Sequence, residues 1–138
     1  MTTEEKELAI TEDYVSFEIA KLLKEKGFDE KCIATYNLTT GTFEIEEIYQ
    51  DWTNRWKAYV SAPTLQMALK WLREEKHYYI QVMLDSWACG GHMGYYVVIQ
   101  KTDSNFEMML QDALDEVFYK TPEEACETAI KYVLENLI

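Results

Sequence analysis

The segment Tyr95-Tyr96-Val97-Val98-Ile99 is apolar on both faces of an extended chain. A strand half open to water alternates apolar and polar side chains, so a run without that alternation needs cover above and below. It predicts a strand over 94–101 at the centre of a sheet, and obliges the rest of the chain to supply neighbours and helices. The stretch before it fits beside it: Ile80, Val82 and Leu84 alternate with Tyr79, Gln81 and Met83, which predicts a strand over 78–84. Between the two lies Asp85-Ser86-Trp87-Ala88-Cys89-Gly90-Gly91-His92-Met93, the only glycine-rich loop of the chain.

Helix signals punctuate the remainder. Ser16 caps a helix predicted over 17–26, whose Ile19, Leu22 and Leu23 share a face, and Gly27 stops it with Phe28 folding back on the last turn. Thr64, after Pro63, caps a helix over 65–76 with the stripe Leu65, Ala68, Leu69 and Leu72. In the final helix Thr121 is the cap, Pro122 the first helical residue and Glu124 the capping-box partner; Cys126, Ala129, Ile130, Val133, Leu134 and Leu137 form its buried stripe. Residues 31–37 and 42–48 read as a hairpin around Leu38-Thr39-Thr40-Gly41, and 57–61 as a further extended segment. The segment 105–118 is ambiguous between helix and strand; Phe106, Met109, Leu110, Ala113, Leu114 and Val117 keep a helical period, so a helix is the reading taken.

These elements define an α+β fold. The expectation is a single domain over residues 1–138, with 1–11 fraying, in which an antiparallel, twisted sheet of four to six strands carries three or four helices on one face. A chain of 138 residues can bury roughly two-thirds of its unfolded surface, enough for a core without disulfides or metal. The three cysteines, Cys32, Cys89 and Cys126, have no CxxC spacing and read as free thiols. Met1-Thr2-Thr3-Glu4-Glu5 lacks the basic flank and apolar run of a signal peptide, and no apolar run approaches a membrane span, so a cytoplasmic protein without membrane contact is expected.

Charge narrows the function classes. The net charge of −12 argues against direct binding of nucleic acid, which needs basic patches. The excess is not uniform: residues 1–30 carry nine acids and four bases, residues 102–138 nine acids and two bases, and the middle is neutral. That neutral middle holds all four tryptophans and seven of the ten tyrosines. Trp71 belongs with the helix stripe, whereas Trp52, Trp56 and Trp87 fall in loops, where aromatic side chains commonly serve contact surfaces.

Three functional readings follow. The leading one is a non-enzymatic interaction protein that binds a protein partner through Trp52, Trp56 and Trp87; apart from the three, a small-ligand binder using the Trp- and Tyr-rich sheet stays open, since aromatic pockets suit flat ligands. A second is an acidic inhibitor or nucleic-acid mimic that presents Asp112, Asp115, Glu116, Glu123, Glu124 and Glu127 to a basic partner. The third is a thiol-dependent enzyme, with Cys89 as nucleophile, His92 as base and the adjacent glycine N–H groups as oxyanion donors. The competing explanation for that loop is a simple connection using glycine for its backbone freedom. No cofactor motif is present, and His77, His92 and Cys89 would need a distant fourth ligand to hold zinc, so no metal is expected. The acids Glu44, Glu46, Glu47 and Asp51 cluster, but Glu44 and Glu46 alternate with Phe43 and Ile45 as solvent-facing strand residues do.

Three segments also carry a resemblance. Tyr59-Val60-Ser61-Ala62-Pro63-Thr64-Leu65-Gln66-Met67-Ala68-Leu69-Lys70-Trp71-Leu72-Arg73-Glu74-Glu75, the opening Tyr14-Val15-Ser16-Phe17-Glu18 with Gly27-Phe28-Asp29, and Thr121-Pro122-Glu123-Glu124-Ala125 resemble small uncharacterised proteins of gut Bacteroidales and their phages or mobile elements. The resemblance implies an accessory protein and assigns no activity, cofactor or catalytic residue.

Overall fold

A computed structural model describes residues 10–45, 54, 57–85, 94–115 and 118–138. The chain runs α1 (Phe17–Glu25), β1 (Ala34–Asn37), β2 (Phe43–Ile45), β3 (Tyr59–Ser61), α2 (Leu65–Lys76), β4 (Tyr78–Asp85), β5 (Gly94–Lys101), β6 (Glu107–Met109), α3 (Leu110–Leu114) and α4 (Pro122–Tyr132). A π-helical turn over Val133–Leu137 prolongs α4. This is an α+β fold with antiparallel strands.

All three hydroxyl caps form. Ser16 Oγ accepts from Ile19 N at 3.2 Å, Thr64 Oγ1 from Met67 N at 3.1 Å, and Thr121 Oγ1 from Glu124 N at 3.1 Å. Each satisfies one of the N–H groups that a helix start leaves without an intrahelical partner. Gly27 ends α1 at φ +97°, and Phe28 N donates to Leu23 O at 2.9 Å. The buried Phe28 ring then meets Trp71 edge-on, centroids 5.4 Å apart. The same task at the end of α2 falls to His77, left-handed at φ +64°. Its carbonyl accepts from Thr102 N at 2.8 Å, which ties the helix end to the end of β5.

Among the described residues the strands divide into two three-stranded sheets, ordered β2-β1-β3 and β4-β5-β6, rather than forming one sheet of four to six. In the first, β1 pairs with β2 across a turn in which Asn37 Oδ1 accepts from Thr39 N and Thr40 N and Gly41 takes φ +74°. The other edge of β1 is taken by β3, so no place beside it remains for β4. In the second sheet β5 is central, as its apolar sequence requires, with Val97 and Ile99 fully buried.

The predicted helix over 105–118 is corrected. Glu107–Met109 is strand β6, paired with Val98–Gln100 of β5, and helix begins only at Leu110. Phe106 and Met109, which the helical period placed inward, are exposed at 37% and 39%. The vacant edge of β5 offers backbone hydrogen bonds to this segment, and that tertiary pairing overrides the local period. Past β6, where the ladder stops, Gln111 takes over: its Oε1 accepts from Val97 N at 3.2 Å and its Nε2 donates to Tyr95 O at 3.3 Å. Tyr119 completes the edge with a reciprocal pair of 2.9 Å backbone bonds to Tyr95.

Helix α4 is the hub of the packing. It lies against β4 and β5, and touches both α1 and α2, while α1 also packs on β3. One hydrophobic cluster joins these elements, from Ile19 and Leu23 through Val60, Leu72, Val97 and Ile99 to Ile130 and Leu134.

Candidate functional site

The segment entering α1 is tied down at several points. Val15 N donates to Pro63 O and Leu65 N to Asp13 O, at 3.0 and 2.9 Å. Tyr36 Oη donates to Val15 O at 2.7 Å. Aromatic rings then continue the wall: Tyr14 and Tyr36 each stand 5.2 Å from Phe43, and Tyr36 stands 5.4 Å from Phe17. Such tilted stacks fix ring orientation beyond simple burial.

Residues 10–14 and Phe43 thus form one side of a cleft of about 1060 Å³, closed on the other sides by α2, β4 and the start of α4. Its floor is apolar, made by Phe43 and Ile45 of β2, Leu65 and Leu69 of α2, and Ile80 and Val82 of β4. Phe43 and Ile45 are 38% and 45% exposed, an unusual state for the apolar half of an alternating strand. The rim carries Glu12, Asp13 and Glu123, with Cys126 below them. The volume lies just above the range of about 300–1,000 Å³ common for ligand sites.

Electrostatics at this rim run in one direction. Burial, followed by the charges of Glu127, Glu123 and Asp13, pushes the Cys126 thiol up to about 12. Glu127 itself is raised above the ordinary glutamate value by partial burial and by Asp13, against a hydrogen bond from the Ser16 backbone. Three acids therefore converge on Cys126, and the thiol stays protonated at neutral pH, which makes it a poor nucleophile. Cys32 is likewise pushed up to about 12, by burial and then by Glu30.

A second cleft of about 720 Å³ lies between Phe28–Lys31 and α2, over Met67 and Trp71. Lys31 and Lys70 there face Asp29, Glu30, Glu74 and Glu75, so it has no comparable single-sign rim.

The residues singled out from sequence fall into two groups. Trp52, Trp56, Trp87, Cys89, His92 and Glu116 lie outside the described residues, as do Glu46, Glu47 and Asp51. Of the rest, Asp112 and Asp115 stand exposed on and after α3, whereas Glu123 and Glu124 open α4 and Glu127 follows one turn on. The α4 acids Glu123 and Glu127 meet Asp13, while Asp112 and Asp115 belong to the element packed on β5 and β6. Trp71 is 6% exposed and packs in the core, as its stripe position predicts. His77 serves as a helix end, its ring 3.5 Å from Thr102 Oγ1. Among the described residues no group of three His, Cys, Asp or Glu is placed to hold a metal ion, and no described helix is long and apolar enough to cross a membrane.

The cleft is not legible in the sequence. Phe43, Ile45, Leu69 and Val82 each look like ordinary inward-facing residues of their own element, and only their convergence makes a site. The excess of acid in residues 1–30 and 102–138 was the one available signal, since Glu12, Asp13 and Glu123 come from those two ends.

No protein-family model matches the chain, and no curated protein or solved structure is significantly similar to it.

Proposed function

We propose that this chain is a non-enzymatic binding module that holds a segment of a protein partner in the cleft between β2, α2, β4 and α4. The observation that carries the proposal is a cleft of about 1060 Å³ with an apolar floor beneath a rim of Glu12, Asp13 and Glu123. Apolar surface supplies binding free energy in rough proportion to area, and a single-sign rim steers and selects the partner. The protonated, buried state of Cys126 at this place favours binding over thiol chemistry.

The test is a peptide-display selection against the wild-type protein, followed by affinity measurement on an Ile45→Arg/Val82→Arg variant whose circular dichroism matches wild type. Selected peptides are expected to bind the variant at least about tenfold more weakly, because a charged side chain would then occupy an apolar floor. Selected peptides that bind both proteins equally would place the contact elsewhere and contradict the proposal.

A further inference from the structure

The cleft is bordered by two strands that each have one partner among the described residues. Among the described residues β2 pairs only with β1, and β4 pairs only with β5. Both send alternate side chains into the same space: Phe43 and Ile45 from β2, Ile80 and Val82 from β4. The second edge of β5, by contrast, is occupied along its length by β6, by the Gln111 amide and by Tyr119. A strand edge without a neighbour presents backbone donors and acceptors in the spacing that an added strand satisfies.

The β4 edge also lacks the usual deterrents to strand addition. Tyr78–Leu84 contains no proline and no charged residue, and the one charge of the strand, Asp85 at its end, does not repel a basic chain. Leu84, on the same face of β4 as Ile80 and Val82, is 54% exposed, so an added strand would also cover apolar surface. The charge of the rim then selects among extended segments. Glu12, Asp13 and Glu123 line the opening, and Glu127 stands close enough to raise Cys126 together with Glu123 and Asp13.

From this juxtaposition of an apolar floor, an acidic rim and two single-partnered strands, we infer that the occupant is an extended, lysine- or arginine-bearing segment of a partner protein, held by strand addition. This rests on the cleft being the binding site. The segment alternates: apolar side chains point to the floor, basic ones meet the rim acids, and the backbone bonds to β4 or β2. Backbone pairing gives affinity that tolerates sequence change, and the alternating side chains give selectivity.

The probe is a fluorescein-labelled octapeptide of alternating lysine and valine, measured by fluorescence anisotropy against the whole protein. It is compared with an alternating glutamate-valine octapeptide, with two forms N-methylated at odd or at even positions, and with a lysine-rich peptide of equal charge stapled as a helix. Strand addition predicts that the lysine-valine peptide binds, that binding weakens with salt, and that methylation in at least one register weakens it by about tenfold or more. A Glu12→Lys/Asp13→Lys/Glu123→Lys variant should lose affinity for the lysine peptide and gain it for the glutamate peptide. Equal binding of the unmodified and both methylated peptides, preference for the stapled helix, or failure of the lysine-valine peptide to bind overturns the inference. The Ile45→Arg/Val82→Arg variant separates the two levels. If it binds the peptide as well as wild type, the cleft itself is wrong; if it loses the peptide while methylation has no effect, the cleft stands and strand addition falls.

Discussion

Val97 sits fully buried in the centre of the second sheet, beyond the last residue that β6 pairs with, and its N–H needs an acceptor there. Gln111 provides one, and its amide N–H₂ returns a bond to Tyr95 O, so one side chain imitates a short length of strand. Gln111→Leu keeps similar bulk but leaves the Val97 N–H without its acceptor. Burial of an unsatisfied donor costs about 1–3 kcal/mol, and urea unfolding should show a loss of that size, whereas Leu at the exposed Gln66 should change little. At this scale the sequence was readable where the reason was local. Ser16, Thr64 and Thr121 cap their own helices with bonds to residues three positions on, and Gly27 carries its own conformational freedom. His77 was opaque, because nothing in its neighbours announces a left-handed helix end without glycine or asparagine. Gln111 was opaque because its role depends on β5.

Among the elements, α4 shows how packing and charge interact. Its Glu127 is held near Asp13 and the Ser16 backbone, where the segment entering α1 lies against it. Because the folded-state pKa of Glu127 lies above the ordinary 4.5, the folded protein takes up its proton more readily than the unfolded chain. Stability conferred by this group is therefore greatest at low pH and declines as pH rises from about the ordinary value through the raised one. Glu127→Gln removes the charge and retains an oxygen for the Ser16 N–H. It should raise stability at pH 7 by less than about 1 kcal/mol, since the group is only part-buried, and flatten the slope above pH 4.5 in unfolding curves taken at several pH values. An unchanged slope would show that Asp13 and burial do not act on Glu127 as described. Strand β5 was legible at this level because an apolar run on both faces admits few positions in a sheet. Strand β6 was not, because Phe106, Met109 and Leu110 also satisfy a helical period and only the vacant edge of β5 decides between them.

At the scale of the whole molecule, the α+β class followed from the mixture of capped helical stripes and alternating segments. The division into two sheets did not, because it turns on β3 taking the second edge of β1, a pairing between residues 35–37 and 59–61 that no local pattern encodes. The cleft is the furthest from the sequence, since its walls come from residues 10–14, 43–45, 65–69, 80–82 and 122–126. The net charge of −12 gains a partial location here: acids from both ends of the chain, Glu12, Asp13 and Glu123, meet at one opening, while Asp112 and Asp115 stand on another element. The most direct measurement is amide chemical-shift mapping of the labelled protein titrated with the lysine-valine octapeptide. Shifts are predicted to cluster on Phe43–Ile45, Leu65–Leu69, Ile80–Val82 and Glu123. Shifts confined to Trp52, Trp56 and Trp87, or to Asp112 and Asp115, with the cleft residues unmoved, would contradict the assignment of the cleft as the binding site.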